Sequence, residues 1–480
     1  MTRKIKVLHL AAECKPFAQV GGLGDVVGAL PPALAKLGLD ISVLIPKYDV
    51  INSRRYHLRL VAKKLQVNIG SDRQFFDLYQ TKLQNSAVNY YFLDHPLFHK
   101  GQVYISKTRN KKLIDLERFA FFSKAAVEVI KHFWPRPDVV HTHDWHTALV
   151  PSFLDQAANH YAGFHQIRTL FTIHNLGNQG QTGRDFVDYL QINPAEEPAI
   201  FEDYNDDDYL NLMKIGILSA DLITTVSPTY AKEILTPRYG FKLQDYLDRR
   251  RQDLTGIING LDVKLFDPAT DQSLVKNYSS QNWRSNKKLN KYALQKRLGW
   301  PTSDRPLFGL VSRLVQQKGL DILLPSLKKL IKKDWQLVVL GSGQPKYEKA
   351  LESLAKRYPA KVSVSLKFDL KLADQIYAAS DFFLMPSQFE PCGLGQLIAM
   401  RYGSLPIVRA TGGLKDTVSH NQTGLVFNDY SAAALTRALG QALVLYQSKK
   451  WYTMVKNAMR QDFSWSESAK KYQQLYQKLA

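Results

Sequence analysis

The chain repeats one short glycine turn, once near each end of its sequence. The first copy is Gly21-Gly22-Leu23 and the second is Gly412-Gly413-Leu414. Each follows an apolar, strand-like run and precedes a helix-like run, and glycine lets the backbone take positive φ and approach a ligand closely. The first N–H groups of a helix can receive a phosphate or a sugar hydroxyl. A single such turn is more often a plain tight turn, but one in each half predicts two similar α/β domains facing a shared cleft.

The apolar residues switch between strand and helix periods along most of the chain, which predicts α/β domains with parallel sheets. A chain of 480 residues is longer than one hydrophobic core usually allows, so at least two domains are expected. We predict a first domain at 1–268 with a β-rich antiparallel insertion near 56–93, a polar linker at 269–296, a second domain at 297–460 and a C-terminal helix at 461–480.

Composition limits the classes of function. No apolar stretch is long enough to cross a bilayer, and no signal-peptide h-region follows Met1, so we expect a soluble, cytoplasmic protein with no membrane partner. Cys14 and Cys392 lie in different predicted domains, which argues against a disulfide framework. The formal net charge of +21 attracts phosphates, but the basic residues accompany no nucleic-acid-binding motif. We therefore expect an anionic substrate and no nucleic acid.

Two cations follow a predicted strand of the second domain. Ligands of open α/β sheets bind beyond the carboxyl ends of the strands, and Arg313 and Lys318 lie on the loop after the strand at Leu307–Val311. Arginine offers a fork to two oxygens and lysine a movable point charge, a pair that suits a diphosphate. The alternative is a solvated basic loop. The Gly412-Gly413 turn in the same domain favours the diphosphate.

Glu390 stands between an apolar strand and a Pro-Cys-Gly turn. A carboxylate in such a place is costly to bury without partners, and it commonly accepts hydrogen bonds from sugar hydroxyls or backbone N–H groups. The alternative is a carboxylate that only complements a helix dipole.

Two acidic or histidine clusters raise the question of a metal. His141, His143 and His146 lie near Asp144, but their spacing matches no established zinc signature. The run Asp206-Asp207-Asp208 sits in an acidic loop that follows no clear strand. We predict neither a metal site nor a cofactor.

Eight segments together resemble one family, the bacterial glycogen and plant starch synthases of glycosyltransferase family 5. The resemblance implies the GT-B fold, in which two Rossmann-like domains face an interdomain cleft and a C-terminal helix closes the chain. The Glu-Pro-Cys-Gly-Leu-x-Gln run, together with Thr-Ile-His-Asn, is specific to this family. The matching segments, in chain order, are GGLGDV, HTHDWH, TIHNLGNQG, SADLITTVSPTYA, GIINGLD, SRLVQQKG, PSQFEPCGLGQL and TGGLKDTV.

The resemblance also implies an activity and a set of site residues. The activity is transfer of glucose from an ADP-glucose donor to the 4-hydroxyl at the non-reducing end of an α-1,4-glucan acceptor, with retention at the anomeric carbon. Arg313 and Lys318 would hold the diphosphate, Glu390 would bind glucose hydroxyls, and His174 and Asp25 would complete the sugar site. Substrate-binding roles are implied for Gln19, Gly21, Gly22, Asn259, Phe368, Cys392, Gly393, Thr411, Gly412 and Gly413, with Phe368 replacing the family's adenine-stacking tyrosine.

One departure from the family bears on activity. Gln19 stands where the family's first turn usually has a lysine, and Lys15 is the nearest lysine in sequence. Three functions therefore stay open: an active ADP-glucose-dependent synthase, a relative that uses UDP-glucose or another acceptor, and a catalytically weak glucan-binding or priming protein. The sequence leaves the oligomeric state open.

Overall fold

The chain folds into two compact units. The computed structural model describes residues 3–105, 111–132, 136–183, 186–191, 209–367 and 369–480. The first unit comprises Met1–Val226, Ala231–Gly260 and Trp465–Ala480, and the second comprises Ser227–Tyr230 and Leu261–Ser464. Each unit has its own hydrophobic core.

The first unit is built on a nine-stranded sheet. Its central strands are short apolar runs buried on both faces, as parallel strands covered by helices usually are. The strands of the first unit are β1 Lys6–Leu10, β2 Asp40–Pro46, β3 Arg59–Ile69, β4 Asp72–Thr81, β5 Asn89–Asp94, β6 Val139–His143, β7 Arg168–Ile173, β8 Gln181–Gly183, β9 Tyr209–Asn211, β10 Leu222–Thr225 and β11 Leu254–Gly256. The order across the nine-stranded sheet is β11-β10-β7-β6-β1-β2-β5-β4-β3, and all neighbouring pairs from β11 to β5 are parallel. β8 and β9 form a separate small sheet.

The predicted β-rich insertion is part of this main sheet. β3 and β4 pair antiparallel, and β4 pairs antiparallel with β5. β5 then lies parallel to β2, so it continues the parallel series of the sheet. The antiparallel hairpin therefore extends one edge of the sheet.

The second unit contains a six-stranded, fully parallel sheet. Its order is β14-β13-β12-β15-β16-β17, the 3-2-1-4-5-6 order of a doubly wound fold. The predicted strand at Leu307–Val311 is confirmed. The strands are β12 Leu307–Val311, β13 Gln336–Leu340, β14 Val362–Ser365, β15 Phe382–Met385, β16 Leu405–Arg409 and β17 Leu425–Phe427.

Helices flank both sheets, and apolar spacing accounts for most of them. The first helix begins at Gly22, so Gly22 and Leu23 of the first glycine turn belong to its first helical turn. The helices of the first unit are Gly22–Lys36, Lys111–His132, Val150–Ala158, Phe186–Leu190, Leu212–Ser219, Gln244–Arg249 and Trp465–Leu479. The helices of the second unit are Trp283–Arg297, Leu320–Lys329, Pro345–Arg357, Leu370–Ala379, Gly395–Arg401, Gly412–Thr417, Ala432–Tyr446 and Lys449–Met459. The helix Pro228–Glu233 has its first three residues in the second unit and its last three in the first.

The predicted linker at 269–296 is wrong. All of its second half lies in the helix Trp283–Arg297, which packs in the second unit with Trp283 in the core. Lys287 is buried, and its Nζ donates to the carbonyl oxygens of Ala378 and Tyr402 at 2.9 and 3.0 Å. A lysine buries its long apolar stem while its ammonium group finds acceptors, so a polar helix can pack without an apolar stripe.

The C-terminal helix is as predicted from the sequence and belongs to the first unit. It spans Trp465–Leu479 and buries Trp465, Ala469, Tyr472 and Tyr476 in that unit's core. Among the helices in the described ranges, none is long and apolar enough to cross a membrane.

Candidate active site

Each sheet reverses its strand order at one point, and several of the predicted site residues follow the strands at these points. In the first unit the reversal lies between β1 and β6, and in the second between β12 and β15. The loops that leave the carboxyl ends of such neighbouring strands diverge to opposite sides and leave a crevice. The loops after β1, β12 and β15 carry Gln19, Arg313, Lys318 and Glu390, whereas His174, Asn259 and the Gly412-Gly413 turn follow β7, β11 and β16.

In the first unit, Glu13 organises the loop after β1. Its Oε2 accepts the N–H groups of Val20 and Gly21 at 2.6 and 2.9 Å, and its Oε1 accepts the hydroxyl of Tyr104 at 2.5 Å. Glu13 is only 2% exposed. Glu13 is not among the residues predicted from the sequence, although a carboxylate directly after the apolar run Leu10-Ala11-Ala12 was a usable signal.

This arrangement changes the interpretation of the first glycine turn. The N–H of Gly21 is already donated to Glu13, whereas Gly22 is exposed and nothing described lies within 4 Å of where its Cβ would be. Gln19 is exposed on the same loop. Lys15 Nζ lies 3.4 Å from Asp25 Oδ1, so the nearest lysine is paired with a predicted site residue.

His174 follows β7 and is held by Asp144, which follows β6. The backbone N–H groups of His174 and Asn175 donate to Asp144 Oδ1 at 2.7 and 3.3 Å. Burial raises the pKa of Asp144 to about 7, against the effect of these two donors, which lower it. The Nε2 of His174 lies 3.1 Å from Nδ1 of His143. Burial lowers the pKa of His174 to about 3, so the ring is neutral at pH 7.

Three histidines from two adjacent strands lie together behind His174. His9 on β1 is directly opposite His141 on β6, and His143 shares its face two residues further on. Their ring nitrogens come within 4.8 Å of one another, which is a candidate metal geometry. His9 Nδ1 and His143 Nε2 are 3.2 Å apart, while His141 Nε2 is 2.6 Å from the hydroxyl of Thr172. The nitrogens thus have hydrogen-bond partners of their own.

Two further residues considered in the sequence, His146 of the rejected metal cluster and the predicted site residue Asn259, lie apart from these three histidines. His146, in the turn after β6, packs against the rings of Phe119 and Trp145. Asn259 follows β11 and is 7% exposed. Its Oδ1 is buried and has no hydrogen-bond partner within the described ranges, so it keeps an open acceptor.

In the second unit, Lys318 and Glu390 form an ion pair. Nζ of Lys318 lies 2.6 Å from Oε2 of Glu390, and the hydroxyl of Ser387 donates to the same oxygen at 3.1 Å. The two side chains are 18% and 9% exposed. From the sequence, Lys318 is expected to bind a diphosphate and Glu390 to act separately, whereas the fold joins the two side chains in one pair. Arg313 is exposed on the same loop as Lys318 and, within the described residues, forms no ion pair.

The second glycine turn packs against the loop that carries Glu390. A Cβ on Gly412, whose φ is +44°, would lie 1.9 Å from the carbonyl oxygen of Glu390, and one on Gly413 would lie 2.2 Å from that of Cys392. The N–H of Gly413 donates to the carbonyl oxygens of Glu390 and Pro391 at 3.2 and 3.1 Å. The predicted donation of this N–H to a phosphate therefore does not match its hydrogen bonds here. The turn requires glycine for close backbone packing.

The other predicted site residues of the second unit that the structure describes lie on the same two loops. Thr411 is buried and directly precedes the short helix Gly412–Thr417, and Gly393 takes a φ of +76° that favours glycine. Cys392 is 5% exposed between them. Phe368 and the run 206–208 lie outside the described residues.

The comparisons place these two α/β units in the class of glycosyltransferases. The family model described as starch synthase catalytic domain matches residues 6–249, and that of glycosyl transferases group 1 matches 294–461. Glycogen synthases of Streptococcus mutans and Alkaliphilus metalliredigens are each 42% identical over 99% of this chain and 100% of their own. The catalytic domain of Arabidopsis thaliana starch synthase IV, solved with ADP and acarbose, is 34% identical with a TM-score of 0.89 over 99% of both chains.

A more distant structure shows the fold alone. Sucrose-phosphate synthase from Thermosynechococcus elongatus has a TM-score of 0.61 at 19% identity, with 99% of each chain covered. Taken with the close matches, the fold is GT-B. The chain belongs to the glycogen and starch synthase family.

Proposed function

We propose that the chain elongates an α-1,4-glucan by transferring glucose from ADP-glucose to the terminal 4-hydroxyl, with retention at the anomeric carbon. The observation that carries the proposal is the Lys318–Glu390 pair beside the exposed Arg313, at the strand-order reversal of the second unit. Family membership supports a sugar-nucleotide donor and a glucan acceptor.

The cations suit the leaving group. Breaking the bond between the anomeric carbon and the diphosphate leaves negative charge on ADP, and fixed cations stabilise that charge without reorganising. Arg313 can bind two phosphate oxygens at once. Lys318 is kept from swinging away by Glu390, so its charge is already in place when the donor arrives.

Glu390 can serve both the cation and the sugar. One of its oxygens, Oε2, is used by Lys318 and Ser387, which leaves Oε1 to accept glucose hydroxyls. We assign no covalent nucleophile: the acceptor oxygen attacks from the face that the diphosphate leaves, and the hydroxyl proton departs with the diphosphate.

Three residues of the first unit are proposed to bind the sugar. Asn259 has an unused buried acceptor, His174 presents a neutral imidazole, and Asp25 presents a carboxylate shared with Lys15. Each offers polar atoms of the kind that bind sugar hydroxyls. No metal is assigned to the reaction, and nucleic acid is not a proposed partner.

The direct test is incorporation of radiolabelled glucose into glycogen. ADP-glucose, UDP-glucose and a no-donor control are compared at equal concentration, and the product is digested with an enzyme specific for α-1,4 linkages. Release of all label by that digestion, with ADP-glucose as the faster donor, supports the proposal. A faster reaction with UDP-glucose would change the donor, and binding of glycogen without incorporation from either donor would favour a glucan-binding protein.

A further inference from the structure

One hydrogen-bonded series in the first unit connects His174 to the C-terminal helix. From His174 Nε2 it runs to His143 Nδ1 at 3.1 Å, and from His143 Nε2 to His9 Nδ1 at 3.2 Å. His9 Nε2 then lies 3.4 Å from the hydroxyl of Tyr476, which also lies 2.8 Å from His141 Nδ1. We call this series the imidazole chain.

Each imidazole of the chain is neutral, and His9, His141 and His143 each use both ring nitrogens. Burial lowers the pKa of His9 to about 3, and burial together with the neighbouring histidines lowers the pKa of His141 and His143 well below the usual value. A neutral imidazole has one N–H, so it donates from one nitrogen and accepts at the other. All hydrogen bonds along the imidazole chain must therefore run in one direction.

Tyr476 is the point where that direction is set. Its hydroxyl has one proton, so it donates to one of its two histidine neighbours and accepts from the other. Hydroxyl donors make shorter hydrogen bonds than N–H donors, which assigns the 2.8 Å contact as donation to His141 and the 3.4 Å contact as acceptance from His9. His141 Nε2–H can then donate to Thr172, 2.6 Å away.

This direction determines which ring nitrogen of His174 carries the proton and which can accept a hydrogen bond. If His9 donates from Nε2, its Nδ1 accepts from His143, and His143 in turn accepts from Nε2–H of His174. The Nδ1 of His174 is then an unprotonated acceptor. Within the described part of the chain, no hydrogen-bond partner is recorded for this nitrogen, so it is available to a sugar hydroxyl.

We propose that Tyr476 is a positioning residue that, through His9 and His143, keeps the proton of His174 on Nε2 and leaves Nδ1 as a hydrogen-bond acceptor. The four residues come from β1, β6, the end of β7 and the last helix, and His9, His143 and Tyr476 are fully buried. Its consequence for catalysis rests on the proposed function, because it assumes that His174 binds the donor sugar.

A metal site is the competing explanation of the same cluster. Three ring nitrogens within 4.8 Å could bind an ion, but an ion would have to displace the partners that His9, His141 and His143 already have. Zinc binding is therefore an outcome that the test must detect.

The test is nitrogen-15 NMR of histidine-labelled protein, with the His174 signals assigned by their loss in His174→Gln. In the wild type we expect Nδ1 of His174 to be unprotonated. Tyr476→Phe keeps the ring and removes only the hydroxyl, so we expect the fraction of His174 protonated on Nδ1 to rise. The matched control is Tyr472→Phe, at an equally buried tyrosine one turn earlier whose ring lies 5.6 Å from that of His141.

A kinetic measurement accompanies the spectra. We expect Tyr476→Phe to lower kcat about fivefold to tenfold, the effect of one hydrogen bond, with KM for glucan unchanged and wild-type values for Tyr472→Phe. A protonated Nδ1 in the wild type, an unchanged tautomer in Tyr476→Phe, or stoichiometric zinc that shifts the His9, His141 and His143 signals would overturn the inference. The spectra need no turnover, so they remain decisive if glucosyl transfer itself is not observed.

Discussion

Lys318 and Glu390 lie 72 residues apart in sequence, yet Nζ and Oε2 are 2.6 Å apart and both side chains are largely buried. Each charge satisfies the other in a place where a lone charge would be costly. The pair therefore links the loop after β12 to the loop after β15. Any donor that binds one of these residues also affects the other.

The pair predicts strongly coupled variants. We expect Lys318→Ala and Glu390→Ala each to lower the free energy of unfolding of the second unit by about 1.5–3 kcal/mol, because each leaves a charge without its partner. The double variant should lose much less than the sum. Urea unfolding of the four proteins measures the coupling, and additive losses would show that the pair contributes nothing to stability.

Arg313 is expected to affect catalysis alone. Because it is exposed and forms no ion pair within the described ranges, Arg313→Ala should leave stability unchanged while lowering kcat/KM for ADP-glucose by roughly 10² through lost transition-state stabilisation. Lys328→Ala removes an exposed cation from the following helix and is the control. Equal rates in both variants would remove Arg313 from the diphosphate site.

Gln19→Lys is expected to increase activity. The exposed glutamine can donate a hydrogen bond but carries no charge, and the nearest lysine, Lys15, is paired with Asp25. A charged hydrogen bond contributes about 1.5–3 kcal/mol, so kcat/KM for ADP-glucose should rise by roughly tenfold or more. Gln19→Met, similar in length and without charge or donor, should not exceed the wild type. No gain with lysine would indicate a site adapted to glutamine.

The first unit should lose stability in acid. Burial lowers the pKa of His9, His146 and His174 to about 3, and burial together with the neighbouring histidines lowers the pKa of His141 and His143 well below the usual value, so the unfolded chain binds protons that the folded chain does not. The free energy of unfolding therefore falls as pH decreases from about 6.5 towards 3, by about 1.4 kcal/mol per pH unit for each histidine fully protonated in the unfolded chain.

Asp144 changes the pH dependence of the free energy of unfolding in the opposite direction to the histidines. Burial raises its pKa to about 7, so between pH 4 and 7 the folded chain holds a proton that the unfolded chain has released, which offsets about one histidine. Urea unfolding at stepped pH measures the slope. His146→Phe should reduce it by about one proton, whereas the same change at the exposed His160 should leave it unaltered. An unchanged slope in His146→Phe would contradict the assignment.

Activity should survive EDTA. The nitrogens of the candidate metal cluster already have hydrogen-bond partners, and the proposed charge stabilisation uses Arg313 and Lys318. Rates of labelled glucose incorporation are compared before and after chelation, with metal content measured in the same samples. Loss of activity that Mg²⁺ restores, or stoichiometric zinc in the purified protein, would contradict this expectation.

The local sequence determined where strands form and which loops were candidates for the site. Apolar runs such as Leu307–Val311 specify strands by burying both faces of a parallel sheet, and that effect depends on neighbours in sequence. The motif residues that follow β12 and β15 were selected because parallel strands end at one edge. The pattern of polar residues, however, does not show which of them become buried. The polar segment that contains the helix Trp283–Arg297 was therefore predicted to be a linker.

Tertiary structure decided which of these residues act together. The Lys318–Glu390 pair, the hydrogen bond that Tyr104 donates to Glu13, and the alignment of His9 with His141 all join distant parts of the chain. Such contacts depend on the order of strands across a sheet and on the register between them, which no local pattern encodes. The sequence by itself therefore determined the strands, most helices and the family resemblance, and the fold decided the partners that set the charge and protonation of each site residue.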